Sequence, residues 1–95
     1  MMKFAAVCGS GLGSSFMVEM NINSVLKKLG VEDVEVSHYD MGSAGPDLAD
    51  VFFVAADLAD SATHLGEVIV LNSIIDMDEL TQKVTAVCQE KGLLS

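Results

Sequence analysis

Positive charge is scarce in this 95-residue sequence: five Lys+Arg stand against 14 Asp+Glu, for a formal net charge of −9. That balance excludes nucleic acid as a partner, because phosphate-backbone binding needs a basic stripe and none is present. It disfavours anionic membrane surfaces for the same reason, and solubility is the simplest use of the acidity. Long hydrophobic runs are also missing. Hydrophobic residues make up 51% of the chain, yet no stretch reaches the ~18 apolar residues of a membrane span. The N-terminal apolar run is too short for a signal peptide. Cysteine is limited to Cys8 and Cys88, without paired spacing; free thiols in a reducing cytoplasm are expected. No C-x-x-C motif occurs, which argues against thioredoxin-like exchange. No His/Cys/Asp/Glu cluster has metal-ligand spacing, so neither a metal nor an organic cofactor is called for. With no internal repeat or low-complexity linker, residues 1–95 read as one domain with a modest core.

What the chain does have is apolar residues in short runs, as a buried parallel sheet requires. The first run, residues 4–7, leads into Cys8-Gly9-Ser10-Gly11-Leu12-Gly13-Ser14-Ser15, and an amphipathic segment over 16–29 leads out. This reads as a buried strand, a glycine-rich turn and the first turn of a helix. Such a turn aims successive backbone N–H groups at one point, and the helix dipole adds partial positive charge there. Phosphate is the characteristic guest. Gly9, Ser10, Gly11, Leu12, Gly13, Ser14 and Ser15 are therefore the predicted phosphate-binding residues, with the hydroxyls of Ser10, Ser14 and Ser15 as helpers. Cys8 is the predicted nucleophile. A helix N-terminus lowers a thiol pKa, so a thiolate is expected beside the cradle, and with it a phosphocysteine.

Spacing rules out two familiar loops. Gly9, Gly11 and Gly13 give G-x-G-x-G rather than the dinucleotide G-x-G-x-x-G, and no lysine stands where a Walker A loop needs one. In cysteine phosphatases five residues separate the cysteine from an arginine that clamps the phosphate; here that position is Ser14. Without bidentate charge-assisted contacts, the loop is suited to holding a phosphoryl group and passing it on, and poorly suited to hydrolysing it.

Along the chain, Ser14 or Ser15 is expected to cap the first helix, whose stripe is Val18, Ile22, Val25, Leu26 and Leu29. Gly30 supplies the stop. Phe16, Met17 and Met20 are read as core, with a docking rim as the alternative. A second strand is expected over 31–37, a turn cluster over 41–46, and a short helix from Pro46 to about residue 49. Residues 51–56 form the most continuous apolar run and should be a central strand. A short helix over 58–65, a strand over 68–71 and a final helix opened by a capping box at Asp76–Glu79 complete the chain. Leu80, Val84, Val87 and Cys88 share that helix's buried stripe, which makes Cys88 a core residue. In a parallel sheet the strand ends carrying His38, Asp57 and Asn72-Ser73 fall on the Cys8 side. His38 is read first as an ordinary exposed loop histidine, with an accessory contact to phosphate or partner as the sharper alternative. Asp57 is another accessory candidate, read as a helix cap or partner contact rather than a general acid. The elements give an α/β fold: a four-stranded parallel sheet with β1 central and helices on both faces, a three-layer α/β/α arrangement.

The run Ala6-Val7-Cys8-Gly9-Ser10-Gly11-Leu12-Gly13-Ser14-Ser15, the following Phe16-Met17-Val18-Glu19-Met20, and the stretches Glu35-Val36-Ser37-His38 and Leu71-Asn72-Ser73-Ile74-Ile75-Asp76 resemble a IIB component of the bacterial phosphoenolpyruvate-dependent sugar phosphotransferase system. Within the lactose/cellobiose-like IIB superfamily the likeness is to the ascorbate-type branch, although Ala55-Ala56-Asp57 departs from it. The resemblance spans nearly the whole chain, and the Cys8 loop is its most specific part. It implies strand order 2-1-3-4 and a phosphotransferase role. A IIA phosphohistidine would give its phosphoryl group to Cys8, and the phosphocysteine would give it to a sugar held by the membrane IIC component. It also implies a cytoplasmic protein associating peripherally with IIC. Two alternatives stand beside it: a non-catalytic anion-binding or regulatory module, and a small cysteine phosphatase or redox enzyme.

Overall fold

A computed structural model of the chain describes residues 2–8 and 12–94, without the side chains of residues 12 and 13. The first strand, β1 (Met2–Cys8), is buried from Phe4 onward on both faces, as a central strand must be. It is followed by α1 (Leu12–Leu29), β2 (Val34–Asp40), β3 (Val51–Ala55), a 3-10 helix (Ala56–Leu65), β4 (Val68–Leu71) and α2 (Met77–Glu90). The strands form one parallel sheet in the order β2-β1-β3-β4. All four C-terminal ends therefore meet at one edge, where Cys8, Asp40, Ala55 and Leu71 end their strands.

The two faces of the sheet are covered differently. Val18, Ile22, Val25 and Leu26 of α1 and Leu80, Val84, Val87 and Cys88 of α2 pack together on Phe4, Ala6, Val51 and Phe53. The rings of Phe4 and Phe53 lie 5.5 Å apart at 56°, a tilted packing that aromatic quadrupoles favour. The opposite face buries Ala5, Val7, Phe52 and Val54 under Ala62 and Leu65 of the 3-10 helix, with Tyr39, Met41, Ala44 and Ala49 around them. Its buried residues are three apart, the repeat of a 3-10 helix. The α-helix predicted over 58–65 is instead a 3-10 helix over Ala56–Leu65, a spacing of buried residues that this helix accommodates. The helix expected from Pro46 is absent and its residues form turns. Local and long-range bonds claim the backbone there: Ser43 and Ala44 N–H donate to the Asp40 carbonyl at 3.1 Å each, and Asp50 N–H donates to the Lys3 carbonyl at 2.8 Å.

Two other boundaries differ from expectation. Helix α1 begins at Leu12, so Ser14 and Ser15 lie inside its first turns and neither is the cap. Strand β2 begins at Val34 rather than residue 31. The reason is the end of α1, where Gly30 adopts φ +76°. Gly30 N–H donates to the Lys27 carbonyl at 3.2 Å and Val31 N–H to the Leu26 carbonyl at 2.9 Å. This paired closure is a Schellman motif, in which Val31 packs back on the helix instead of starting the strand.

Candidate functional site at the sheet's C-terminal edge

Cys8 is the last residue of β1 and pairs in register with Asp40 of β2. By the two-residue alternation of a strand it shares the α1 face with Phe4 and Ala6. It is 6% exposed. Gly9, Ser10 and Gly11, and the side chains of Leu12 and Gly13, lie outside the described residues. What is described is the start of α1 only four residues past Cys8, which puts the positive end of the helix dipole beside the thiol. Ser14 is half-buried, and Ser15 is buried and partnered.

The expected lowering of the thiol pKa is not found. Burial pushes the Cys8 thiol up from 9.0, and the negative charge of Asp57 pushes it further. Withdrawal from water penalises the thiolate, and a neighbouring carboxylate repels it. Both effects disfavour the thiolate that the sequence led one to expect.

Asp57 sits in the first turn of the 3-10 helix, exposed, and no side-chain cap bond is formed there. The cap reading therefore fails, and the contribution of Asp57 at this edge is electrostatic. It lines an open cleft of about 500 Å³ with Ala55, Asn72, Ser73, Ile74 and Ile75. Two of these lining residues, Asn72 and Ser73, are held by Glu79. Asp76 Oδ1 accepts from Glu79 N–H at 3.1 Å, as the first half of the expected capping box. The reciprocal half is replaced: the Glu79 carboxylate accepts from Asn72 N–H at 2.8 Å, Ser73 N–H at 2.9 Å and Lys83 Nζ at 2.7 Å. Lys83 chiefly, with those amides, holds the Glu79 carboxyl down at about 2.

His38 lies within β2, opposite Ala6, and its Nδ1 is 2.9 Å from Glu19 Oε1 of α1. Its ring meets the Phe16 ring edge-on, 5.5 Å between centroids at 66°. Phe16 (48%) and Met20 (52%) are exposed, and Met17 is half-buried. Phe16 and Met20 are therefore surface residues, and the core reading of both is corrected. Ile75, 74% exposed, and Met77 extend the apolar surface along this edge. Sequence reasoning missed Ile75 as a surface residue, although it lies between strand end and helix cap, where neither period asks for an apolar residue. It also missed Glu19, for which nothing along the chain signals a link to residue 38.

The cation inventory is short. The chain contains no arginine, and its five basic residues are lysines. Lys3 is near the other end of β1, about 16 Å along the strand from Cys8. Lys27 and Lys28 are in the last turn of α1. Lys83 bonds Glu79 and the Val70 carbonyl, and Lys91 bonds Glu67. Among the described residues no group of three His, Cys, Asp or Glu could hold a metal ion, and no helix is long and apolar enough to cross a membrane.

Comparison with known proteins adds to this geometry. The family model for the lactose/cellobiose-specific IIB subunit of the PTS system matches residues 3–86. Comparison with curated proteins gives no match. Among solved structures, the chain is similar to the lactose-specific IIB component domain of the phosphoenolpyruvate:carbohydrate phosphotransferase system from Streptococcus pneumoniae. The TM-score is 0.63 at 19% identity, covering 94% of this chain and 95% of that one. At that identity the likeness is one of fold. Neither match supports the ascorbate branch to which the sequence resemblance pointed.

Proposed function

The chain belongs to the lactose/cellobiose-specific IIB family of the phosphotransferase system, and on that premise we propose that Cys8 carries a phosphoryl group from a IIA phosphohistidine to a sugar bound by a membrane IIC component. The observation that carries this reading is the position of Cys8. It ends a central strand at the sheet's C-terminal edge, directly before the helix whose N-terminus faces that edge. Gly9, Ser10, Gly11, Leu12, Gly13, Ser14 and Ser15 would hold the phosphoryl oxygens through backbone N–H groups and hydroxyls. The protein would work in the cytoplasm, docking on IIC at the membrane, with the Phe16, Met20 and Ile75 rim as its contact surface.

The raised thiol pKa fits this traffic. In the first transfer the Cys8 sulfur attacks phosphorus, the S–P bond forms and the P–N bond breaks. The bonding pair leaves with the imidazole nitrogen, which takes the proton the thiol gives up. In the second transfer a sugar hydroxyl oxygen displaces the sulfur. The S–P pair returns to sulfur, and the hydroxyl proton ends on the thiol. Protons balance in each half without an outside base. Lack of an arginine, and of any free lysine at this edge among the described residues, leaves hydrolysis without its usual clamp.

The test is the intact mass of the protein after incubation with phosphoenolpyruvate and the phosphotransferase donor proteins, beside Cys8→Ser. The expected result is one phosphoryl group on the wild type and none on the variant. No gain from a competent, matched IIA donor would leave a loop that binds anions without covalent chemistry.

A further inference from the structure

The pair His38–Glu19 has no part in the transfer as described so far, and its position gives it one. Strand register places His38 opposite Ala6 and Asp40 opposite Cys8, so His38 is one same-face step behind the cysteine on the neighbouring strand. With strands about 4.8 Å apart and a two-residue step of about 6.6 Å, the His38 and Cys8 Cα atoms are about 8 Å apart. An imidazole on one and a phosphoryl group on the other span that gap. Glu19 fixes the ring through Nδ1, and Phe16 closes one side of it. Among the described residues Nε2 has no hydrogen-bond partner, so it is the atom left for a ligand.

The electrostatics point the same way. Facing His38 are Glu19 and Phe16 from α1, Ala6 and Cys8 from β1, and Val36 and Asp40 on its own strand; the carboxylate of Asp40 accepts from Ser43 N–H. Asp57 stands close enough to raise the Cys8 thiol. A phosphoryl group on Cys8 would therefore enter a neighbourhood of carboxylates, and the lysines are distant or bonded elsewhere. His38 is the one described side chain at this edge able to become a cation without giving up another partner.

We propose that His38, oriented by Glu19, becomes an imidazolium when Cys8 is phosphorylated and donates from Nε2 to a phosphoryl oxygen while Nδ1–H donates to Glu19. This rests on the phosphocysteine reading above and deepens it. An imidazole with its Nδ1 proton on Glu19 can donate from Nε2 only after taking up a second proton. Binding the dianion and taking up that proton are thus one event. Removal of the phosphoryl group by the acceptor leaves Nε2 without that partner and Nδ1 on Glu19.

The experiment follows the His38 ring by ¹⁵N NMR in the full-length wild type at fixed neutral pH, before and after phosphorylation by the donor proteins, with intact mass read on the same sample. Expected is a change of both ring nitrogens to the imidazolium pattern in the phosphorylated protein. Glu19→Gln should weaken that change, and His38→Ala should slow phosphoryl uptake about tenfold. A Cys8-phosphorylated wild type with unchanged His38 nitrogens overturns the proposal and leaves the phosphocarrier reading intact. A wild type that gains no phosphoryl group from a matched donor overturns both. A His38→Ala protein with altered melting but wild-type uptake marks the pair as structural and refutes the role.

Discussion

Replacing Gly30 by alanine isolates the cost of one dihedral angle. Gly30 sits at φ +76°, and a Cβ built there meets no atom within 4 Å. No clash contributes, so the penalty is the local strain of an L-residue in the left-handed region, about 1–2 kcal/mol. The Schellman bonds from Gly30 and Val31 hold the residue in that region and prevent escape to ordinary φ. Alanine also narrows the unfolded ensemble, which offsets about 0.4–1 kcal/mol. The expected net loss is about 1 kcal/mol, or a melting temperature lower by about 4–8 °C for a domain of this size. Gly92, at φ +73° and equally unobstructed, should behave alike. Gly45 has open space and no positive φ, so Gly45→Ala should be neutral or stabilising by up to about 1 kcal/mol. Urea unfolding of the three variants, with unchanged m values, checks the series. A Gly30→Ala protein as stable as wild type would refute the dihedral argument. So would a Gly45→Ala protein losing as much as Gly30→Ala. Because Gly30 lies at the end of α1 remote from Cys8, phosphoryl uptake should be unaffected.

The remaining predictions concern charge. Asp57→Asn removes the carboxylate that, after burial, raises the Cys8 thiol. The pH midpoint for alkylation of Cys8 by iodoacetamide should lie above 9.0 in the wild type and fall in the variant, and an unchanged midpoint would show that burial alone sets it. Glu79 is held at about 2 against 4.5 when unfolded. Its folded-state pKa is depressed, so its contribution is complete above 4.5 and is lost as pH falls through about 2. Glu79→Gln should be less stable at neutral pH and lose less on acidification through that window. Parallel acid limbs in urea titrations of the two proteins would contradict the assignment.

Much of this architecture is legible in the sequence because burial writes itself in periods. The unbroken run at 51–54 and the stripe Val18, Ile22, Val25, Leu26 can be satisfied only by a central strand and a half-buried helix, and both are found. Cys88 falls on the α2 stripe and is fully buried. Asp76 caps α2 as its position predicts. What failed depended on partners distant along the chain. Asp50 N–H is claimed by Lys3 and not by a helix at 46–49. Glu79 turns to Asn72 and Ser73 because β4 brings them within reach. The Cys8 thiol responds to burial and to Asp57, neither of which a loop motif encodes. Phe16 and Met20 look like core by residue type, but they lie off the Val18–Ile22 stripe, and among the described residues no element covers them.

The unequal covering of the sheet divides the molecule mechanically. One side is clamped by two α-helices that touch each other as well as the strands. On the other, a single 3-10 helix burying only Ala62 and Leu65, and a run of turns, hold the strands down. Weaker 3-10 hydrogen bonds and fewer buried side chains lead us to expect that layer to open first, as a unit smaller than global unfolding. Asp57 belongs to the layer that yields, whereas Cys8 and Glu19 belong to the part that stays. Opening of the soft side would carry one charge away from the thiol without disturbing the helix and strand that hold it.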